Sequence, residues 1–315
     1  MAAKFLHNLF RTWPRVLFLV FVLLLLWYLL SAVLKEDMDR TADYNFDNLS
    51  EEQSQGVEMM AFLVDREVNQ NLWTANLPAF FPSAYLDNMP NFQKGMMRAI
   101  AEIAKTLPEQ IECGEQRDKQ SLENIATLLD YPADVWIFAN GDNLKIAPSS
   151  SRQYRKALKR LRRLNEDLKK KDCLKYDNKE SLLKLLNVVD DGLKVSTANL
   201  DEYIKSEYDS WFDTKVDDVF YFNIGKIYAY ALILNKFGSD YKIVMQRSDV
   251  DQKWKSLLEN MKQAFEIAPK LVVDADLNDA TKANHLVYLG YYIAKSKYIL
   301  MEIRESIRSA DRDEN

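Results

Sequence analysis

Apolar residues recur every three or four positions along most of the chain beyond residue 50, and this is the period of an amphipathic α-helix. Between residues 214 and 237 the apolar character extends around the whole helix, as expected at the centre of a bundle. The stripes of the other clear helices are Val57, Met60, Val64 and Val68; Phe92, Met96, Ala99, Ile103 and Leu107; Tyr154, Leu158, Leu161, Leu164 and Leu168; Val250, Trp254, Leu257, Met261 and Phe265; and Leu286, Leu289, Ile293, Ile299, Ile303 and Ile307. The pattern predicts an all-α bundle of about eight to nine helices.

Turn and capping signals divide these stripes into elements. Ser50 and Gln53 have the spacing of a capping box, so we expect the first helix of the domain to begin at Ser50. Asn88 is a good N-cap residue for the next helix. The pattern also predicts two separate helices over residues 179–194 and 200–211. No internal repeat is present, so the simplest arrangement is one helical domain made of two abutting bundles.

The most apolar stretch is residues 16–34, VLFLVFVLLLLWYLLSAVL, which contains no charge and one polar side chain, Ser31. As a helix it spans about 28 Å, close to the hydrocarbon thickness of a bilayer. A cleavable signal peptide has a shorter apolar core of roughly 7–15 residues and a small-residue cleavage site. The SAVLKED sequence that ends this stretch is a poor match to such a site. We therefore predict an uncleaved, single-pass transmembrane anchor.

Positive charge favours the amino-terminal side of this anchor, which the positive-inside rule places in the cytoplasm. The charges concerned are those of the amino terminus, Lys4, Arg11 and Arg15 before the anchor, and Lys35 and Arg40 after it. We expect a protein of the cell inner membrane whose carboxyl-terminal domain is periplasmic. The predicted segments are a cytoplasmic tail (1–15), the anchor (16–34), a juxtamembrane linker (35–49), a periplasmic helical domain (50–309) and a polar tail (310–315).

Composition supports the all-α class and limits the chemistry. The chain has eight glycines, where average usage of about 7% would give roughly twenty-two, and sheet-rich folds need more. Its two cysteines, Cys113 and Cys173, and its two histidines do not form a Cys/His zinc site of ordinary design, so we predict no metal and no cofactor. Because the periplasm is oxidising, the two cysteines are a disulfide candidate, and two unpaired thiols are the alternative.

Few residues are suited to catalysis. His285 is the only histidine predicted outside the cytoplasm, and a lone histidine near a helix start more often packs or caps than acts as a base. The acid pairs at 190–191 and 217–218 are adjacent, so their carboxylates diverge by about 100° on a helix. We predict no catalytic residue. A hydrolase that pairs carboxylates distant in sequence is the least favoured alternative.

The run SRQYRKALKRLRRLNEDLKKK (151–171) is the strongest charge anomaly in a chain of net charge −5. A basic helix of this kind binds anionic lipid headgroups, an acidic partner or the protein's own acidic surface, or it is simply solvated. The solvated face is the favoured interpretation, and nucleic acid is excluded by the predicted location. The residues of the predicted basic surface are Arg152, Arg155, Lys156, Lys159, Arg160 and Arg163.

Residues 73–95, WTANLPAFFPSAYLDNMPNFQKG, form a long connector with three prolines and five aromatic residues. One interpretation is a binding site with aromatic stacking and polar groups. The favoured interpretation is a stiff connector that packs across the ends of helices. The candidate binding residues are Trp73, Asn76, Tyr85, Asp87 and Gln93, together with Asn284 and His285 near the carboxyl end.

Two motifs resemble an uncharacterised bacterial family catalogued as a domain of unknown function. They are the segment 73–95, with its Leu86-Asp87-Asn88-Met89-Pro90 core, and the later Asn284-His285-Leu286 with Gly290. The resemblance implies a single-pass inner-membrane protein of proteobacteria with one domain outside the cytoplasm. It implies no activity and transfers no catalytic residue.

These observations lead to two main hypotheses about function. The first is a non-catalytic envelope scaffold or protein-interaction module, anchored in the inner membrane, with an envelope protein as its partner. The alternative is a periplasmic binding module for a lipid or a cell-wall fragment.

Overall fold

The computed structural model is all-helical apart from one pair of two-residue strands among the residues it describes. Those residues are 2–33, 38–77, 88–112, 116–136, 147–170, 174–175, 178–205, 214–267, 269, 272 and 284–310. The longer helices are α1 (Ala2–Val33), α2 (Gln55–Asp65, continued by a π-helical turn Arg66–Gln70), α3 (Met89–Ala104), α5 (Gln116–Leu129), α6 (Ser150–Lys170), α7 (Lys179–Lys205), α8 (Thr214–Asp240), α10 (Asp251–Glu266) and α11 (His285–Ser309). The short elements are a 3-10 turn (Thr74–Asn76), α4 (Leu107–Gln110), α9 (Lys242–Arg247) and the strands β1 (Ile111–Glu112) and β2 (Leu174–Lys175).

The first helix is longer than the predicted anchor at its amino-terminal end. It continues through Pro14, and twelve large apolar side chains between Val16 and Leu29 are 45% to 68% exposed. Within the part of the chain that the structure describes, no helix meets the combined requirements of length and apolar character for a membrane crossing.

Helix α8 is the centre of the domain, as its all-round apolar sequence predicts. Its aromatic side chains, among them Phe220, Tyr228 and Phe237, are buried, and α2, α3 and α10 pack around it. Most of the buried apolar side chains of the described residues form one cluster. The described residues between 50 and 309 therefore contribute to one common apolar core.

Two glycines allow α3 and α8 to cross at very short distance. A Cβ atom at Gly95 would lie 1.8 Å from the carbonyl oxygen of Phe222. In the reverse direction, a Cβ atom at Gly225 would lie 2.0 Å from the carbonyl oxygen of Phe92. Any side chain at either position would clash with the backbone of the facing helix, so the crossing requires glycine on both sides.

The predicted linker 35–49 is packed on the domain over its described part, residues 38–49, which we call the strap. The Arg40 guanidinium donates hydrogen bonds to the carbonyl oxygens of Phe265 and Ile267, at 3.1 and 3.0 Å, and so caps the end of α10. The strap side chains that pack against the core are Met38, Ala42, Tyr44 and Phe46.

A buried arginine holds the strap from the other side. The Nη1 atom of Arg66 donates to the carboxylate of Asp39 at 3.2 Å and to the hydroxyl of Tyr44 at 2.9 Å. The same atom donates to the hydroxyl of Tyr228 in α8 at 2.8 Å, while Nε donates to Glu67 at 2.7 Å. Arg66 therefore joins the strap, α2 and α8 through one planar group.

Two predicted boundaries are wrong. The first helix of the domain begins at Gln55 rather than Ser50, with Ser54 as its N-cap. The physical reason is tertiary, because the carboxylate of Asp240, from the end of α8, accepts hydrogen bonds from the backbone N–H groups of Gln55 and Gly56, both at 2.9 Å. Ser50 and Gln53 form only a local turn, in which the Ser50 N–H donates to the Gln53 side chain at 3.1 Å.

The helix predicted over 179–194 and the described part of the one predicted over 200–211 belong to a single helix, α7 (Lys179–Lys205), and residues 206–211 lie outside the described residues. The intervening Val195–Asn199 contains neither glycine nor proline. The hydroxyl of Thr197 donates to the carbonyl oxygen of Leu193, four residues earlier, at 3.0 Å. This bond turns the polar side chain back onto its own helix, so the polar stretch does not interrupt it.

Candidate functional site

Trp73 and Asn76, both predicted as binding residues, are buried at the start and at the end of the 3-10 turn. The Trp73 indole N–H donates to the carbonyl oxygen of Ala133 at 3.0 Å, and its ring lies edge-on to Tyr154 with centroids 5.0 Å apart. The Asn76 amide donates to the carbonyl oxygen of Val135, also at 3.0 Å. Both side chains therefore fix the segment after α5 against the 3-10 turn.

Gln93 has no hydrogen-bonding capacity left for a ligand. Its Oε1 atom accepts from the backbone N–H and the hydroxyl of Thr74, at 2.9 and 3.0 Å. Its Nε2 atom donates to the Glu67 carboxylate at 3.1 Å and to the Leu72 carbonyl oxygen at 3.0 Å. Two donors and two acceptor sites are all that a glutamine amide offers. The binding role considered for Gln93 is therefore replaced by a structural one.

An open cleft of about 380 Å³ lies beside Trp73 and Asn76. Arg155 of the predicted basic surface also borders the cleft, so two groups of candidate residues that are distant in sequence meet there. The other lining residues, none of them predicted as binding residues, are Val68, Leu72, Leu77, Trp136, Ser149 and Ser151. Their only sequence signal is local, since serines at 149–151 mark a helix start and Trp136 lies in a short apolar run.

The amino-terminal end of α6 is held firmly at this cleft. The backbone N–H of Ser150 donates to the Val135 carbonyl oxygen at 2.9 Å, and its hydroxyl accepts from the Val135 N–H at 3.0 Å. One turn later, the buried hydroxyl of Tyr154 donates to the Tyr131 carbonyl oxygen at 2.7 Å. These bonds direct the positive end of the α6 dipole towards the Ser149 and Ser151 side of the cleft.

Arg155 contributes a positive charge to the cleft, and among the described residues it forms no ion pair with an acid. Its Nε atom donates to the side-chain oxygen of Asn69 and its Nη2 atom donates to the carbonyl oxygen of Val68, both at 2.9 Å. Both acceptors are neutral, so the guanidinium is held in place while its full charge remains. Hydroxyl groups, a fixed guanidinium and a helix amino terminus together suit a carboxylate or a phosphate.

The other five residues of the predicted basic surface lie along the exposed face of α6 and form what we call the basic stripe. Its members are Arg152, Lys156, Lys159, Arg160 and Arg163, which lie on one side of the helix. Arg163 lies 3.7 Å from Asp167, and the other four make no ion pair within the described part of the chain. The opposite face of α6 is buried through Tyr154, Leu158, Leu161 and Leu168, so the stripe faces solvent.

A second polar cluster lies in the core, away from the cleft lining. The Lys226 ammonium of α8 lies 3.2 Å from the Glu102 carboxylate and donates to the Gly192 carbonyl oxygen at 3.0 Å. Tyr230 and Arg98 donate to the same carboxylate. Burial lowers the pKa of Lys226, and the Glu102 charge opposes that shift. Because partners on three helices enclose this cluster, we interpret it as a buried link between α3, α7 and α8.

The carboxyl-terminal pair of candidates serves a helix start. The Asn284 side chain caps α11 by accepting from the Val287 N–H at 2.9 Å. The His285 ring lies edge-on to Phe220, with centroids 6.4 Å apart. This is the packing role that the sequence favours for a lone histidine at a helix start, and neither residue lines the cleft.

Four predicted residues, Tyr85, Asp87, Cys113 and Cys173, lie outside the described residues. Among the residues that the structure does describe, no group of three or more His, Cys, Asp or Glu side chains is arranged to hold a metal ion.

Comparison with known proteins identifies one family. The sequence profile of a bacterial family, described as an uncharacterized protein conserved in bacteria (DUF2333), matches residues 15–207. The matched range contains the cleft and the whole basic stripe, and it ends before α8. No match is found among curated proteins or among solved structures.

Proposed function

We propose that this chain, which belongs to the DUF2333 family of uncharacterized bacterial proteins, is a non-catalytic interaction scaffold of the bacterial envelope. In this proposal α1 anchors the chain in the inner membrane with its amino terminus in the cytoplasm. The helical domain lies in the periplasm and binds an acidic envelope protein. The observation that carries the interaction role is the basic stripe of α6.

The anchor is supported by the exposed apolar surface of α1. Twelve large apolar side chains between Val16 and Leu29 are 45% to 68% exposed. A continuous apolar surface of this extent is far larger than the few hundred Å² that soluble monomers expose, and a lipid environment would cover it. The flanking charges Arg11 and Arg15 favour the cytoplasmic side for the amino terminus.

The interaction role is supported by the charge arrangement of α6. Five cations lie in one row about 16 Å long on a helix whose other face is fixed in the core. The chain as a whole has a net charge of −5, so this row is a local reversal of sign. Such a patch steers and orients an acidic protein surface.

A non-catalytic role is supported by how the predicted polar residues are used. Gln93 makes four hydrogen bonds, all to neighbouring protein groups, and the Asn284 side chain caps a helix. The buried Glu102 carboxylate is enclosed by Arg98, Lys226 and Tyr230. These groups serve packing and helix ends.

The topology is tested with a reporter that is active only in the periplasm. Fusion to Asn315 should give activity, and fusion to residue 12 should give none. Activity from the amino-terminal fusion, or none from the carboxyl-terminal one, would overturn the proposed orientation.

The interaction role is tested by charge reversal on the stripe. A photo-crosslinking residue at Arg152 should capture an acidic envelope protein, and the Lys156→Glu, Lys159→Glu and Arg160→Glu triple variant should reduce capture at least tenfold. The matched control reverses two exposed lysines on other helices, Lys242→Glu and Lys255→Glu, and should leave capture unchanged. Equal capture by the stripe variant and the parent would contradict the proposal. If reversal instead abolishes binding to phosphatidylglycerol vesicles and captures no protein, the stripe binds lipid.

The cleft beside α6 favours a second candidate function, the binding of an anionic lipid headgroup or cell-wall fragment. Its specific support is the cleft of about 380 Å³, which is lined by Trp73, Trp136, Arg155 and the hydroxyls of Ser149 and Ser151. Titration with glycerol 3-phosphate and with N-acetylmuramic acid, followed by tryptophan fluorescence, tests it. Arg155→Gln should weaken binding at least tenfold, whereas Arg163→Gln on the same helix should not. No saturable signal with either compound would rule this function out.

A further inference from the structure

Helix α11 carries apolar side chains on both of its faces. The inner face packs on α7 and α10. Its buried residues are Leu286, Leu289, Ile293, Ser296, Ile299, Leu300, Ile303 and Ile307. The opposite face carries what we call the tyrosine stripe, whose members are Val287, Tyr291, Ala294, Tyr298 and Met301.

The tyrosine stripe is exposed over its whole length. Val287 is 38%, Tyr291 58%, Tyr298 56% and Met301 46% exposed, and Ala294 between them is exposed as well. A solvated helix face normally carries charged residues, and this one presents large apolar surface instead. Its spacings alternate between four and three residues, which is the 3.5-residue period at which one helix packs along another.

The stripe has approximate two-fold symmetry about Ala294. Tyr291 precedes Ala294 by three residues and Tyr298 follows it by four, while Val287 and Met301 are each seven residues away. Two antiparallel copies that cross at Ala294 therefore place Tyr291 of one against Tyr298 of the other. The small alanine at the crossing point allows close approach. An interface that uses the same patch twice, in opposite directions, is the isologous contact of a symmetric dimer.

Charge at the two ends of the stripe fits the same arrangement. Glu302 follows the stripe and is hydrogen-bonded to Tyr298, while Glu305 is paired with Arg308 of the same helix at 2.6 Å. In an antiparallel pair the Glu302 carboxylate would lie near the first turn of the second copy's α11, where the partly positive helix amino terminus favours this orientation.

The exposed area indicates the strength of the contact. The apolar groups of the stripe present roughly 500 Å², given that a tyrosine can bury about 150–250 Å² and is here a little over half exposed. A standard interface buries about 800 Å² per partner, so polar rim residues must supply the remainder. An interface with this small apolar area is typical of copies that associate reversibly.

We propose that the tyrosine stripe of α11 is a self-association surface through which two copies of this chain pair antiparallel. The surface lies on a different helix from the basic stripe, so the inference is independent of the proposed partner. The bilayer surface and an unrelated protein are the competing occupants.

The test is cysteine crosslinking in the full-length chain. Ala294→Cys lies at the predicted two-fold axis and should give a disulfide-linked dimer under mild oxidation. Arg308→Cys is exposed on the same helix, outside the predicted contact, and should not. The parent chain, oxidised in the same way, measures the background of dimer formed through Cys113 and Cys173. Crosslinking at both positions alike, or at neither, would overturn the proposal.

A second measurement is independent of crosslinking. Sedimentation of the full-length chain in detergent, up to about 100 μM, should show a monomer–dimer equilibrium. The Tyr291→Ser and Tyr298→Ser double variant should raise its dissociation constant at least tenfold without changing the melting temperature, because both side chains are exposed. A chain that remains monomeric throughout would overturn the proposal. So would a stripe that binds phosphatidylglycerol vesicles or another protein while the chain stays monomeric.

Discussion

Gln93 shows at the scale of one residue how the fold uses its polar groups. It is fully buried, and its amide bonds Thr74, Glu67 and Leu72. Gln93→Leu leaves these buried groups without partners, so we expect a loss of about 2–4 kcal/mol in the free energy of unfolding. Urea denaturation measures it.

Gln153 provides the matched control. It is half-buried, and its Oε1 atom has no hydrogen-bond partner among the described residues. Gln153→Leu removes no hydrogen bond to that oxygen, so we expect the free energy of unfolding to change by less than about 1 kcal/mol. A similar loss for both variants would contradict the structural role of Gln93.

Asp39 makes the strap sensitive to acid. Burial raises the pKa of this carboxyl, but hydrogen bonds from Thr41 and Tyr44 and the charge of Arg66 outweigh burial and lower the pKa below its usual 3.8. The folded pKa is thus below the unfolded one. The carboxylate stabilises the fold fully above pH 3.8, and this contribution is lost as the pH falls through the folded pKa.

We therefore expect Asp39→Asn to flatten the fall in stability below about pH 4. The neighbouring Asp43 makes no hydrogen bond or ion pair in the described structure. Asp43→Asn should therefore lose as much stability below about pH 4 as the parent chain does. Urea unfolding at pH 3 to 7 measures both. An unchanged acid limb in Asp39→Asn would contradict the role of this carboxylate.

At the scale of elements, the crossing of α3 and α8 depends on two glycines. A Cβ atom at Gly95 or Gly225 would lie 1.8 or 2.0 Å from a facing carbonyl oxygen. Gly95→Ala and Gly225→Ala should each cost at least about 2 kcal/mol of stability, because the two helices must separate. Thermal and urea unfolding measure the loss.

Gly290 in α11 is the control for helix propensity. A Cβ atom there would have no neighbour within 4 Å. Gly290→Ala should therefore stabilise the chain by roughly 0.5–1 kcal/mol, the ordinary gain from replacing glycine in a helix. A destabilising effect of equal size at Gly290 would show that packing at the crossing is not the cause.

The two cysteines of the predicted disulfide are neighbours in sequence of the short ladder between β1 and β2. Ile111 pairs with Lys175 and Glu112 pairs with Leu174, in antiparallel register. Cys113 follows Glu112 in the sequence and Cys173 precedes Leu174, and both cysteines lie outside the described residues.

Because the proposed location of the domain is the oxidising periplasm, we expect one intramolecular disulfide between these cysteines in the full-length chain purified from the cell envelope. Thiol labelling under denaturing conditions should modify neither cysteine before reduction and both after it. Labelling of both without reduction would leave the unpaired thiols as the correct alternative.

At the scale of the whole molecule, the strap belongs to the folded domain. It caps α10 through Arg40, and the hydroxyl of Tyr228 donates to the carbonyl oxygen of Thr41 at 2.8 Å. A chain that begins at residue 38 should fold with full stability. A chain that begins at residue 50 should lose about 3–5 kcal/mol in the free energy of unfolding, because the charged Arg66 then loses its hydrogen bonds to Asp39 and Tyr44 and keeps only its partners on α2 and α8.

Urea denaturation of the two shortened chains tests this expectation, with the full-length chain in detergent as reference. Equal stability of both would show that residues 38–49 act only as the flexible linker that their polar composition suggests. A loss of stability confined to the chain that begins at residue 50 would show that residues 38–49 are part of the folded domain.

The sequence by itself determined the elements and their faces. Spacings such as Val57, Met60 and Val64 report a buried helix face because a helical period is a local property. The central position of α8 and the capping or packing roles of Asn284 and His285 were predictable for the same reason. The exposed apolar character of α1 follows directly from its composition.

Only the tertiary structure decided which distant side chains meet. Asp240 moves the start of α2, Gln93 becomes saturated by Thr74 and Glu67, and Arg155 joins Trp73 at one cleft. None of these contacts leaves a periodic signal, because each joins residues that lie from about twenty to nearly two hundred positions apart. Hydrogen-bond saturation depends on the packing of the whole domain, so the difference between a binding residue and a structural one appears only in the folded chain.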